Sequence, residues 1–191
     1  MKFRSIIQLS ILLLLTASGC GSLESGVIDT GFFNTGGTDD PRRLIGVAYN
    51  RMYKSNRIIG ARNVLKRAIE RSQKENDLYA LAVSYNMMGY TYIQKEKDPN
   101  EAKKYYDKAI ELIEHNEFDC ELIHYYIGMA LSEELLGIKD NSCSYEKKAQ
   151  KTLTRIKYNF QNDVDGCEFG QKEIYIAEKR LSELSKHLSC K

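Results

Sequence analysis

The sequence predicts an all-α fold, built as a helical repeat and closed at its C-terminal side by one further helix. Three observations predict it. Only two prolines, Pro41 and Pro99, occur in 191 residues, of which 28% are charged, so little interrupts long polar-faced helices. Self-comparison gives a period near 40 residues: Ala68, Ala109 and Ala149 fall 41 and 40 apart, Ala61 and Ala102 are 41 apart, and Gly89 and Gly128 are 39 apart. Near the end, Ile174, Ala177, Leu181, Leu184 and Leu188 recur at spacings of three and four, which draws one apolar stripe along a helix. A hydrophobic share of 42% over this length is enough for one domain with its own core.

The charge pattern excludes some functions. The net charge is +2, and Lys2 and Arg4 supply all of it, because the remaining 26 basic and 26 acidic residues balance. That argues against a nucleic-acid binder and against a polybasic membrane-surface protein.

Residues 1–19 read as an export signal. Lys2 and Arg4 form the basic start, Ile6–Leu15 the apolar run, and Thr16–Gly19 the small residues before a cleavage site. The run is shorter than the roughly 20 apolar residues a stable membrane span needs. The segment Leu15-Thr16-Ala17-Ser18-Gly19-Cys20 resembles a bacterial lipobox, with Ala17 where leucine is usual. The resemblance implies cleavage before Cys20 and lipidation of that residue. Ordinary secretory cleavage after Gly19 is the alternative, since Ala17 and Gly19 also make a small-x-small site. Cysteine parity favours lipidation: an exported chain with five cysteines has one too many, and lipidating Cys20 leaves four. Several acyl chains anchor stably where one alone is marginal. Gly21, in place of aspartate, implies sorting to the bacterial outer membrane, facing the periplasm, by resemblance to lipoprotein sorting.

Residues 20–40 form a lipidated flexible tether, rich in Gly, Ser, Thr and Asp and without a sustained period. Such a tether would reach roughly 25 Å. Phe32 and Phe33 are its apolar exception, suited to docking on the domain, the lipid or a partner.

Residues 41–160 carry the repeats. The clearest unit reads Tyr85-x2-Met88-Gly89-x2-Tyr92, then Ala102-x3-Tyr106-x2-Ala109. This resembles the tetratricopeptide repeat, whose signature is a large aromatic, a Leu-Gly pair, an aromatic, then Ala, an aromatic and Ala. Gly89 would let two helices approach closely, while Tyr85, Tyr92 and Tyr106 fill the space between them. Lys97-Asp98-Pro99-Asn100 makes the turn, with Asn100 as a candidate cap, and carries one residue more than the usual repeat. The first unit is Ile45-x2-Ala48-Tyr49-x2-Met52 followed by Ala61-x3-Leu65-x2-Ala68, and the third begins His124-x2-Ile127-Gly128-x2-Leu131. The third unit's second helix is expected from about Cys143 to Phe160. The resemblance implies a short solenoid of about three helical hairpins. Residues 161–191 then supply the capping helix that such an array needs over its last face. Asp163 and Asp165 lack the glycine and the acidic residue of a calcium loop, so the segment before that helix is a turn.

The four remaining cysteines, Cys120, Cys143, Cys167 and Cys190, lie 23, 24 and 23 residues apart, about one helix and one turn each time. Three antiparallel helices alternate their ends, and a helix of about 17 residues is roughly 25 Å long, beyond the ~7 Å Cα separation a disulfide allows. The expected pairs are therefore Cys120–Cys167 and Cys143–Cys190. Four buried free thiols are the alternative, and the absence of close CxxC spacing disfavours zinc.

In the family this resembles, the first helix of each repeat lines a concave groove that holds peptides or protein segments. Carried over by register, the groove presents Arg43, Asn50, Tyr53 and Lys54, then Asn86, Tyr90 and Gln94, then Tyr125, Met129 and Glu133. Each could instead be an ordinary solvated or core position. Gly46 stands where the lysine of the carboxylate-clamp subgroup belongs, so capture of a chaperone tail is not expected. No nucleophile motif or phosphate loop occurs, and no cofactor is implied. The expected function is non-enzymatic: a lipid-anchored envelope protein that binds a protein or peptide, similar to lipoproteins of this repeat class that act as pilotins or as protease adaptors. The alternative is a metal-binding or enzymatic protein using the His115/Asp119/His124 region, although His124 falls at the repeat's large aromatic position.

Overall fold

The structure, a computed structural model, describes residues 39–114, 119–162, 164 and 170–190. The expected export signal, Cys20, most of the expected tether, His115 and Cys167 lie outside the described residues. Among those described there are seven α-helices and no strand: α1 (Pro41–Tyr53), α2 (Ile58–Glu75), α3 (Leu78–Thr91), α4 (Pro99–Ile113), α5 (Leu122–Leu135), α6 (Lys139–Gln161) and α7 (Gln171–Leu188). This is a helical-repeat solenoid. Consecutive helices pack as antiparallel hairpins, and α1 also touches α3, α3 touches α5, and α5 touches α7. The odd-numbered helices thus form one row and α2, α4 and α6 the other, with α7 occupying the place of a next first helix.

Local chemistry sets the boundaries. Asp40 accepts the amide of Arg43 at 3.0 Å with Pro41 in the first turn of α1, and Asp77 accepts the amide of Ala80 at 2.9 Å to open α3. Asn76 in the left-handed region (φ 55°) separates α2 from α3. The cap of α4 is Asp98, which accepts the Glu101 amide at 3.1 Å, and Asn100 lies inside the helix. Proline decides this shift. Pro99 has no N–H to leave unpaired and suits the first helical position, while the residue before it is held out of the helical region (Asp98 φ −104°, ψ 86°). The extra residue of this turn is absorbed upstream, in a π-helical turn over Tyr92–Glu96 that closes on Lys97 in the left-handed region.

α3 and α5 are buried on nearly every face because each is packed between neighbours on both sides. Gly89 and Gly128 make that possible. A Cβ at Gly89 would meet the Ala102 carbonyl oxygen and the Tyr106 ring at 3.0 Å, and one at Gly128 would meet the same ring at 2.5 Å. Tyr106, itself buried, is therefore held between two helix faces that lack side chains.

The repeat also shows in the side chains. The Lys108 ammonium stands over the rings of Tyr85 (5.5 Å) and Tyr105 (5.7 Å), and Lys148 over Tyr126 (5.3 Å) and Tyr145 (5.2 Å). The third unit's second helix starts one turn before Cys143, at Lys139. Cys143 is bonded to Cys190 just past the end of α7, with Cα atoms 5.6 Å apart, so the beginning of α6 is joined to the end of α7. Cys120 is also disulfide-bonded.

Candidate functional site: the inner row of helices

The inner row carries a tyrosine cluster where α1 and α3 meet. Tyr49 tilts against Tyr53 at 4.6 Å between ring centroids, and Tyr53 stacks on Tyr90 at 5.7 Å. Gln94, in the π-helical turn, donates its side-chain amide to the Tyr90 hydroxyl. Burial raises the pKa of both Tyr53 and Tyr90, so their hydroxyls stay protonated and act as neutral donors and acceptors. Asn50, one turn before Tyr53, donates to the Gly46 carbonyl at 3.0 Å, and its buried carbonyl oxygen has no hydrogen-bond partner. Asn86 is half-buried on α3, Arg43 half-buried near the start of α1, and Lys54 exposed beyond its end.

Tyr53, Tyr90 and Gln94 therefore form one cluster. Tyr90 is itself buried, and the third unit departs further from the expected groove: Tyr125, Met129 and Glu133 are fully buried. Two packing facts account for this. α5 is covered by α3, α4, α6 and α7 together, and Glu133 is turned to Lys103 of α4, with which it forms an ion pair. An array read in register treats its last first helix as open, whereas here α7 continues the row beside it.

The same helix brings a residue that register did not assign to the groove. Arg180 of α7 places a guanidinium nitrogen 3.3 Å from His124 Nδ1, and its charge acts on the hydroxyls of Tyr53, Tyr90 and Tyr106. The row is thus lined by flat aromatic faces, neutral hydroxyl and amide groups, and the Arg180 guanidinium. A signal for Arg180 existed: it lies three residues after Ala177 and four before Leu184, on the edge of the apolar stripe rather than opposite it.

The metal-centre alternative loses its described member. His124 is pushed down to about pKa 3, first by burial and then by the Arg180 charge. A ring nitrogen already facing a guanidinium is a poor place for a second cation. His115 and the side chain of Asp119 lie outside the described residues, and no group of three or more His, Cys, Asp or Glu placed to hold a metal occurs among those described.

The deciding comparison fits this geometry. Residues 82–116 match the tetratricopeptide repeat family. The matched segment is α3, its π-helical turn and α4, the hairpin built around Gly89 and Tyr106. A tetratricopeptide repeat is a protein-interaction module, and its presence points to a protein partner. No curated protein and no solved structure matches the chain.

Proposed function

We propose that this is a non-enzymatic, lipid-anchored envelope protein that uses the inner face of its repeats to bind a protein segment. Its role would be that of an assembly factor or adaptor, in the manner of pilotins or protease adaptors of this repeat class. The observation that carries the binding role is the Tyr49–Tyr53–Tyr90–Gln94 cluster, in which Tyr49, Tyr53 and Gln94 are partly exposed. Stacked tyrosines offer contact area at low entropic cost, and amides read the backbone of an extended segment. The matched repeat supports a protein as the ligand. The lipobox-like Leu15–Cys20 segment supports anchoring at Cys20, and Gly21 supports an outer-membrane location facing the periplasm. No helix among the described residues is long and apolar enough to cross a membrane.

Crosslinked recovery of the anchored protein from its own envelope tests the binding role. The unsubstituted chain should retain one dominant partner that Asn86→Ala or Tyr90→Ala releases; retention of every partner by both variants refutes it. The anchor is tested separately. Labelled palmitate should enter the chain and be lost in Cys20→Ala, and unchanged labelling in that variant removes the lipid reading.

A further inference from the structure

We infer that Arg62, a residue of the outer row, is a positioning residue for the binding face: it clamps the π-helical turn Tyr92–Glu96 in the register that sets Gln94 on the Tyr90 hydroxyl. The inference rests on the proposed binding role of the Tyr49–Tyr53–Tyr90–Gln94 cluster, and it names what holds that cluster in shape.

The turn needs a hold. π-helical turns are rare and occur mostly as single turns, often at functional sites. This one closes with Lys97 at φ 55° and ψ 37°, and the Tyr92 carbonyl accepts from both the Lys97 and the Asp98 amides. Asn56 and Asn76 also enter the left-handed region, but asparagine tolerates it better than lysine does. A backbone of this kind persists only where its surroundings over-determine it.

Arg62 supplies that determination from α2, in the preceding repeat. Its guanidinium lies over the Tyr92 ring at 3.9 Å, and the same ring stacks on Tyr105 of α4 at 5.5 Å. Arg62 Nε donates to the Thr91 hydroxyl at 2.8 Å, which in turn donates to the Met88 carbonyl at 2.7 Å. Arg62 Nη1 forms an ion pair with Glu96. One side chain thus touches the residue before the turn, its first residue and its last. A planar guanidinium can stack on a ring and donate in its own plane at once, which an ammonium cannot. The side chain is only 11% exposed, and its Nη2 is buried without a hydrogen-bond partner, so it is kept at some cost to stability.

Gln94 lies between the clamped points. It donates to the hydroxyl of Tyr90, whose ring stacks on Tyr53 at 5.7 Å. Tyr90 belongs to α3 and Gln94 to the turn, so this pair spans the change of helix type. A turn that reverted to α-helix would rotate Gln94 about the axis relative to Tyr90. Arg62 therefore acts on the binding face through the turn.

The test uses the full-length chain in detergent micelles, with isotope-labelled glutamine. The side-chain amide resonance of Gln94, identified by its loss in Gln94→Ala, reads the Tyr90 contact. Gln150, bonded to Glu146 on α6, is the internal reference. Arg62→Lys and Arg62→Met are compared with Ile69→Ala, which loosens the same helix seven residues further along. Both Arg62 variants should move the Gln94 resonance toward that of a solvated amide and leave Gln150 in place. Ile69→Ala should lower the thermal midpoint and leave Gln94 unmoved. Partner recovery should fall about threefold to tenfold in the Arg62 variants, the worth of one hydrogen bond, and hold in Ile69→Ala. An unmoved Gln94 in either folded Arg62 variant overturns the inference. So does an equal displacement in Ile69→Ala, or full partner recovery beside a displaced Gln94. If the unsubstituted chain retains no partner while Gln94 still moves, the binding reading fails and the clamp on the turn stands.

Discussion

The ring of Tyr106 occupies the space that a side chain at position 128 would need: a Cβ there would stand 2.5 Å from two of its ring carbons. In an open helix, Gly→Ala gains about 1 kcal/mol. Here the ring must move, and Tyr106 is buried with Gly89 on its other side. Overpacking a tight core costs about 1–3 kcal/mol, so Gly128→Ala should lower stability by about 1–2 kcal/mol despite its better helix propensity. Chemical denaturation of Gly128→Ala, Tyr106→Leu and the double variant checks this. The cost of Gly128→Ala should shrink in the Tyr106→Leu background, and strict additivity would contradict the contact.

The spacing of Gly89 and Gly128 and the filling role of Tyr106 beside Gly89 were legible in the sequence as properties of the repeat, whereas the contact of the same ring with Gly128 crosses from one repeat to the next and needed their packing. Other features escaped for physical reasons. Asp98, not Asn100, caps α4 because proline chemistry outranks cap preference at neighbouring positions. The buried Tyr125, Met129 and Glu133 follow from the packing of α5 among α3, α4, α6 and α7 and from the Lys103–Glu133 ion pair, tertiary events that repeat register does not encode. Arg180 stands at the edge of the apolar stripe of α7, and only the packing of α7 beside α5 brings it to His124. The Tyr53–Tyr90 contact joins two repeats and needed their relative rotation.

His124 makes stability sensitive to acid. Its pKa is about 3 in the fold, held down by burial and by Arg180, against the usual value of 6.5. The unfolded chain therefore binds more protons than the folded one between these values. The contribution of neutral His124 is complete above about pH 6.5 and is lost as pH falls toward 3. Urea midpoints measured from pH 7 to pH 4 should decline, and His124→Phe, which keeps an aromatic ring at the position, should decline less steeply. Parallel curves would show that the ring is not the group responsible.

Lys103 and Glu133 test a buried charge. Glu133 is fully buried, one of its oxygens has no hydrogen-bond partner, and the other is paired to Lys103, whose own pKa is raised chiefly by that bond. Lys103→Ala strands the carboxylate, which costs more than the pair is worth. A loss of about 2–3 kcal/mol is expected, below the usual ~3–5 kcal/mol for a fully buried pair because a third of the Lys103 side chain remains in water. Lys103→Met with Glu133→Leu should be more stable than Lys103→Ala alone. If the double variant is the weaker of the two, desolvation is not what makes the stranded carboxylate costly.

The Cys143–Cys190 bond should hold α7 in the inner row. Its partners are 47 residues apart in sequence, and closing a loop of that length in the unfolded chain corresponds to about 4 kcal/mol in the chain-entropy account. Cys190→Ser should therefore lower the thermal midpoint and raise amide exchange in α7, with a smaller increase in α3 and α4, whose contacts do not depend on the C-terminal end. Because α7 carries Arg180 to the tyrosine cluster, loosening it should also weaken partner recovery, even though neither cysteine touches that cluster. Non-reducing peptide mapping identifies the bond directly, and hydrogen exchange of Cys190→Ser shows whether α7 opens before the central repeat; uniform opening of all seven helices would mean that the bond stabilises the whole solenoid rather than its cap.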